Sequence, residues 1–134
     1  MTLPITAATA AAILAIIQVF LMIAVGNKRR ATSISFGDGG DADLLMRMRR
    51  HGNFIENAPM FLILLSLLEM LGGAPAAVTA FAGIFIVTRL SHAYALSGES
   101  NAIAFRVIGA LGTAVSLLGT AGFILWQTKY VVIV

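Results

Sequence analysis

Long apolar runs separated by short polar stretches divide the chain into four segments, at about 5–25, 42–71, 76–96 and 102–126. Crossing the hydrocarbon core of a bilayer takes about 20 apolar residues in helical form, so each segment is long enough for one transmembrane helix. The first segment contains no charged residue. A secretory signal carries its positive charge before the apolar core. Here Lys28, Arg29 and Arg30 follow it, so the segment reads as a retained helix. Residues 31–43 (ATSISFGDGGDAD) form a polar loop in which glycines supply turns and Asp41 or Asp43 caps the next helix. The second segment exceeds one crossing, so its opening turns, with Arg47, Arg49 and Arg50, project into the headgroup region or beyond. Gly72, Gly73 and Pro75 end it in a tight turn, and SGESN separates the third segment from the fourth. Trp126, Lys129 and Tyr130 form an interfacial belt at the far end.

Composition agrees with this pattern. Of 134 residues, 59% are hydrophobic and 11% charged, where soluble domains carry about 25% charged residues. The expectation is a single all-α domain over 1–134, an integral membrane four-helix bundle. Six of the nine Lys and Arg residues fall between Lys28 and Arg50. The net charge of +3 is therefore orientation information rather than a nucleic-acid footprint. The positive-inside rule places the first loop, and with it the third, in the cytoplasm. The chain has no Cys, which excludes disulfides, a protein thiolate nucleophile and Cys-type metal sites. Any thiol chemistry must use a thiol from the substrate. His51 and His92 form no metal motif and no metal is expected; the DGGD loop reads as a turn plus a helix cap, not a calcium loop.

Polar residues inside the apolar segments carry the candidate chemistry. Arg49, Asn53 and Glu56 are spaced i, i+4, i+7, which puts a cation, an amide and a carboxylate on one helix face. An ionised group at mid-span costs roughly 2.5–3.5 kcal/mol on insertion scales. The set is either a solvated helix start with internal pairing, or a site for an anionic or zwitterionic ligand: Arg grips carboxylates, Glu accepts an ammonium, and Asn fixes amide geometry. Arg89 and His92 are i, i+3 on the third helix. Arg89 either pairs with Glu56 or Asp43 inside the bundle or touches ligand, and His92 alone is equally compatible with packing. Arg106, in AIAFRVIGAL, faces the bundle, a partner or a water-filled cleft, or snorkels to the headgroups. These groups, from three helices, converge at one membrane depth. Gly109, Gly112, Thr113, Ser116, Gly119 and Thr120 recur at three- and four-residue spacing and predict close helix approach, within the bundle or between protomers. Glu69 reads as an interfacial residue.

The run RRHGNFIENAP leading into an apolar span resembles the R-x-x-x-N-x-x-E segment of the MAPEG family, the membrane-associated proteins in eicosanoid and glutathione metabolism. IFIVTRLSHAY is similar to that family's third helix, and FGDGGDADLLMRMRRHGN to its short bacterial branch. The resemblance implies a homotrimer in a bacterial inner membrane, with glutathione as co-substrate at sites between subunits on the cytoplasmic side and lipids or lipophilic small molecules as further ligands. It assigns glutathione contacts to Arg49, Asn53 and Glu56, to His51 where relatives have Gln or His, to Arg29 or Arg30 (Arg30 being preferred), to Arg89 and to His92. Two positions depart from the family pattern. The thiol-activating Arg of transferase members aligns near Ala102 or Ile103, one turn before Arg106, and Asn57 replaces the Tyr that often follows the Glu. Arg106 is then the candidate to favour the thiolate. Three functions compete: a glutathione transferase or peroxidase on lipophilic electrophiles, a non-catalytic lipid-binding or scaffold protein of the same fold, and a small exporter, against which stands the lack of a carboxylate in the first span.

Overall fold

The computed structural model describes residues 2–95 and 103–131. These form four helices: α1 Ile5–Thr32, α2 Ala42–Met70, α3 Pro75–Ala95 and α4 Ile103–Val131. Each is long and apolar enough to cross a membrane. The third loop and Ala102 lie outside the described residues. The 29 residues of α2 rise about 43 Å at 1.5 Å each, beyond the roughly 30 Å hydrocarbon core, as its charged opening requires.

The first helix is longer than its apolar run. It continues through Lys28, Arg29 and Arg30 to Thr32, because cations in a last turn meet the negative end of the helix dipole. Ser33 takes a left-handed conformation (φ 56°), and the Ile34 N–H returns to the Arg29 carbonyl at 3.2 Å, closing the helix end. The basic cluster then organises the loop. The Arg29 guanidinium donates to the carbonyls of Ile34, Ser35 and Gly37 at 3.0–3.2 Å. Lys28 meets Asp41 at 3.0 Å and Asp43 at 3.3 Å. Asp41 caps α2 by accepting from the Leu44 N–H at 2.8 Å, and Asp38 accepts from Gly40, so the DGGD stretch is a turn and a cap.

At the opposite end, Glu69 does more than sit at an interface. Pro4, before α1, offers no capping side chain. The Glu69 carboxylate supplies the cap from another helix, accepting from the Thr6 and Ala7 N–H groups at 2.9 and 2.8 Å. The Thr2 hydroxyl donates to the Glu69 carbonyl.

In the bundle, α1 packs on α2, α3 on α4, and α2 touches both α3 and α4; α1 and α4 do not meet among the described residues. The core runs from Ala7, Ala10 and Leu14 through Phe54, Phe61, Leu65 and Leu68 to Val78 and Phe85. Phe61 and Phe85 stack with ring centroids 3.9 Å apart and planes at 6°. The small residues of α4 serve packing inside the bundle. A Cβ on Gly109 would meet the His92 Cβ at 2.6 Å, and one on Gly112 would collide with the Thr88 side chain. The buried hydroxyls of Thr113, Ser116 and Thr120 donate to the carbonyls four residues back at 2.6–2.8 Å. They therefore sit in an apolar bundle without unpaired donors.

Candidate functional site

The opening half of α2 presents one stripe at helical spacing: Leu45, Met48 and Arg49, Gly52 and Asn53, then Glu56. With His92 from α3 and Arg106 from α4, it lines a cleft of about 460 Å³, within the roughly 300–1,000 Å³ of small-molecule sites. The cleft opens at the end of the bundle that carries the α1–α2 loop. Two guanidinium groups and one carboxylate face it, so its charge balance favours an anion. Arg49, Glu56 and Arg106 are exposed, while Asn53 and His92 are half-buried. No ion pair joins Arg49 to Glu56 among the described residues; both remain available to a ligand.

Arg106 lies about one turn beyond Ala102 and Ile103, near which the resemblance puts a thiol-activating Arg, yet it lines the cleft. The close approach of α4 to α3 at Gly109 brings it there, since Arg106 precedes that contact by one turn.

Arg89 lies behind the cleft rather than on it. It is 3% exposed, and the expected ion pair with Glu56 or Asp43 is not what holds it. Its guanidinium donates to the Asn53 side-chain oxygen at 2.7 Å, to the Gly109 carbonyl at 3.0 Å and to the Thr113 hydroxyl. It also stands over the Phe85 ring at 5.6 Å. Glu56 lines the cleft and Asp43 is engaged by Lys28 and Arg47, so neutral acceptors take the charge instead. Arg30 is exposed at the end of α1, and His51 lies with its Nε2 enclosed and without a partner among the described residues; neither lines the cleft. Among the described residues, no three His, Asp or Glu side chains group as a metal would require.

Leu45, Met48 and Gly52 escaped the reading of the sequence. They continue the Arg49–Asn53–Glu56 stripe backwards at three- and four-residue steps, a signal that attention to charge alone passes over.

Residues 7–126 match the MAPEG family. The chain belongs to the MAPEG family. This MAPEG chain is similar to inner membrane protein YecN of Escherichia coli K12, with 33% identity over 61 residues, 46% of this chain and 47% of that protein. The YecN protein of an O6:H1 strain of the same species matches to the same extent. The match thus spans about half the length of these curated relatives. No solved structure matches.

Proposed function

We propose that the cleft binds glutathione and that this MAPEG protein is a glutathione transferase or peroxidase acting on lipophilic electrophiles that reach it through the bilayer. The observation that carries the reading is the convergence of Arg49, Asn53 and Glu56 with Arg106 on one cleft. At neutral pH the tripeptide bears two carboxylates and one ammonium. Arg49 offers a bidentate fork to a carboxylate, Glu56 accepts the ammonium, and Asn53 donates to a peptide oxygen. His92 closes one wall.

In this reading Arg106, on the wall of the cleft, acts on the thiol. A free thiol has a pKa of about 8.5 and is mostly protonated at neutral pH. A guanidinium beside it favours the thiolate, the reactive nucleophile. The thiol proton passes to water. The sulfur then forms a bond to the electrophilic carbon, and the displaced electron pair leaves with the leaving group or moves onto a conjugated carbonyl. With a hydroperoxide, the thiolate attacks the terminal oxygen, the O–O bond breaks and the other oxygen leaves as an alcohol after taking up a proton. The thiol of a second glutathione then attacks the resulting sulfenic sulfur, forming the disulfide and releasing water. The seat of Arg106 favours this reading over a non-catalytic lipid-binding or scaffold role.

In this account the protein sits in the bacterial inner membrane, as the name of its relative suggests, with the α1–α2 loop cytoplasmic. It works as a homotrimer, in which Arg30 and His51, off the cleft of their own protomer, are candidates to complete or support a neighbouring one. The experiment is conjugation of a chromogenic electrophile by protein in nanodiscs, comparing wild type with Arg106→Ala and Arg106→Lys. Arg106→Ala is expected to lower kcat by about 10–100-fold with a smaller change in the KM for glutathione, as a transition-state contact should, and Arg106→Lys to recover part of it. Equal rates in all three would remove Arg106 from the chemistry. No turnover by wild type that nevertheless binds glutathione would favour the non-catalytic role.

A further inference from the structure

We infer that Arg89 is a positioning residue for the cleft, aiming the amide donors of Asn53 at the ligand and holding in place the part of α4 that carries Arg106. What the donors meet rests on the glutathione reading above; how they are aimed does not.

The argument starts from the chemistry of the two groups. A guanidinium has donors only, whereas a carboxamide has one oxygen acceptor and one NH₂ donor that are otherwise hard to tell apart. The Asn53 atom 2.7 Å from the Arg89 guanidinium is therefore its oxygen. The amide cannot flip without setting donor against donor in the bundle. Its NH₂ group makes no hydrogen bond within the described residues, and Asn53 lines the cleft. The backbone is pinned as well: the Asn53 carbonyl accepts from the Asn57 side chain at 2.8 Å and from Arg89 at 3.4 Å.

The other end of the same guanidinium binds α4. It reaches the Gly109 carbonyl at 3.0 Å and the Thr113 hydroxyl, which itself donates to Gly109. Gly109 lies three residues beyond Arg106. One buried side chain thus ties the ligand-facing stripe of α2 to the turn of α4 that presents Arg106. An aspartate at position 53 would neutralise Arg89 better than the amide does. The chain carries Asn there, which retains a donor on the cleft side at the expense of that charge pairing.

The test uses the full chain in nanodiscs, labelled with ¹⁵N only in asparagine. The chain has four asparagines, Asn27, Asn53, Asn57 and Asn101, so the side-chain amide spectrum is simple, and Asn53→Asp assigns one pair. With no ligand present, Arg89→Met is expected to shift and broaden the Asn53 amide pair, and Arg89→Lys, which keeps the charge but loses the fork, to do so less. Asn53→Asp is expected to melt at or above the wild-type temperature while binding glutathione about tenfold or more weakly, since it keeps the bond to Arg89 and loses the donor. A purely structural Asn53 would not separate the two readouts.

Unchanged Asn53 resonances in the Arg89 variants would overturn the inference; should Arg89→Met fail to fold, Arg89→Lys decides. Wild-type affinity in Asn53→Asp would also overturn it. If the wild type binds no glutathione, the proposed function falls, and the Arg89 comparison, which uses no ligand, still upholds or overturns the aiming of Asn53.

Discussion

Gly109 and His92 stand so close that a methyl group on the glycine would lie 2.6 Å from the His92 Cβ and 3.0 Å from its backbone N and Cα. This contact holds α4 against α3 and brings Arg106 to the cleft. Gly109→Ala forces the helices apart and is expected to cost roughly 1–3 kcal/mol, the usual range for overpacking, and to lower turnover as Arg106 withdraws. Gly122, on the same helix with nothing within 4 Å, provides the comparison: Gly122→Ala is expected to be neutral or stabilising by up to about 1 kcal/mol. Thermal unfolding of both variants in nanodiscs checks the pair. Equal effects would mean that the contact with α3 is not what matters at Gly109.

Glu69 caps a helix it does not belong to. Replacing it with Ala leaves the Thr6 and Ala7 N–H groups without their acceptor and is expected to cost about 0.5–2 kcal/mol, the range for losing an N-cap. Glu69→Gln keeps one acceptor oxygen and should cost less. Hydrogen exchange at the first amides of α1 is the direct readout. It should accelerate in Glu69→Ala with little change in the middle of α2.

The acid side of the stability profile should carry a mark from Asp41. The Leu44 N–H bond, with help from Lys28, holds the Asp41 carboxyl below its usual range. A depressed folded-state pKa stabilises above the unfolded value, about 3.9, and the gain is lost as pH falls through the lower folded value. The difference in melting temperature between wild type and Asp41→Ala should therefore be full above about pH 5 and shrink as pH falls below about 4. Added salt should weaken only the Lys28 share of it. A difference that is flat across this range would remove the cap and ion pair as its source.

The fold was largely legible because membrane crossing imposes length and polarity limits that four apolar runs satisfy plainly. The Arg49–Asn53–Glu56 stripe was legible because helical spacing alone puts these residues on one face. What escaped depended on contacts between helices. Arg89 looked like half of an ion pair or a ligand contact because the sequence shows charges but not which acceptors lie nearest; the structure gives it an amide, a carbonyl and a hydroxyl behind the cleft. Glu69 looked peripheral because its role lies at the start of a helix more than sixty residues earlier. The seat of Arg106 turns on how closely α4 approaches α3. The glycines signalled such closeness, but whether it fell inside the bundle or between protomers was open.

If the cleft between Arg49, Glu56 and Arg106 is a glutathione site, calorimetric titration of the purified protein in mild detergent will reveal it, with wild type beside Arg49→Ala. The account predicts saturable binding in the micromolar-to-millimolar range, about −8 to −4 kcal/mol, weakened by about tenfold or more when the guanidinium is removed. A folded wild-type protein that takes up no glutathione would contradict it, as would an Arg49→Ala variant that binds as tightly as the wild type.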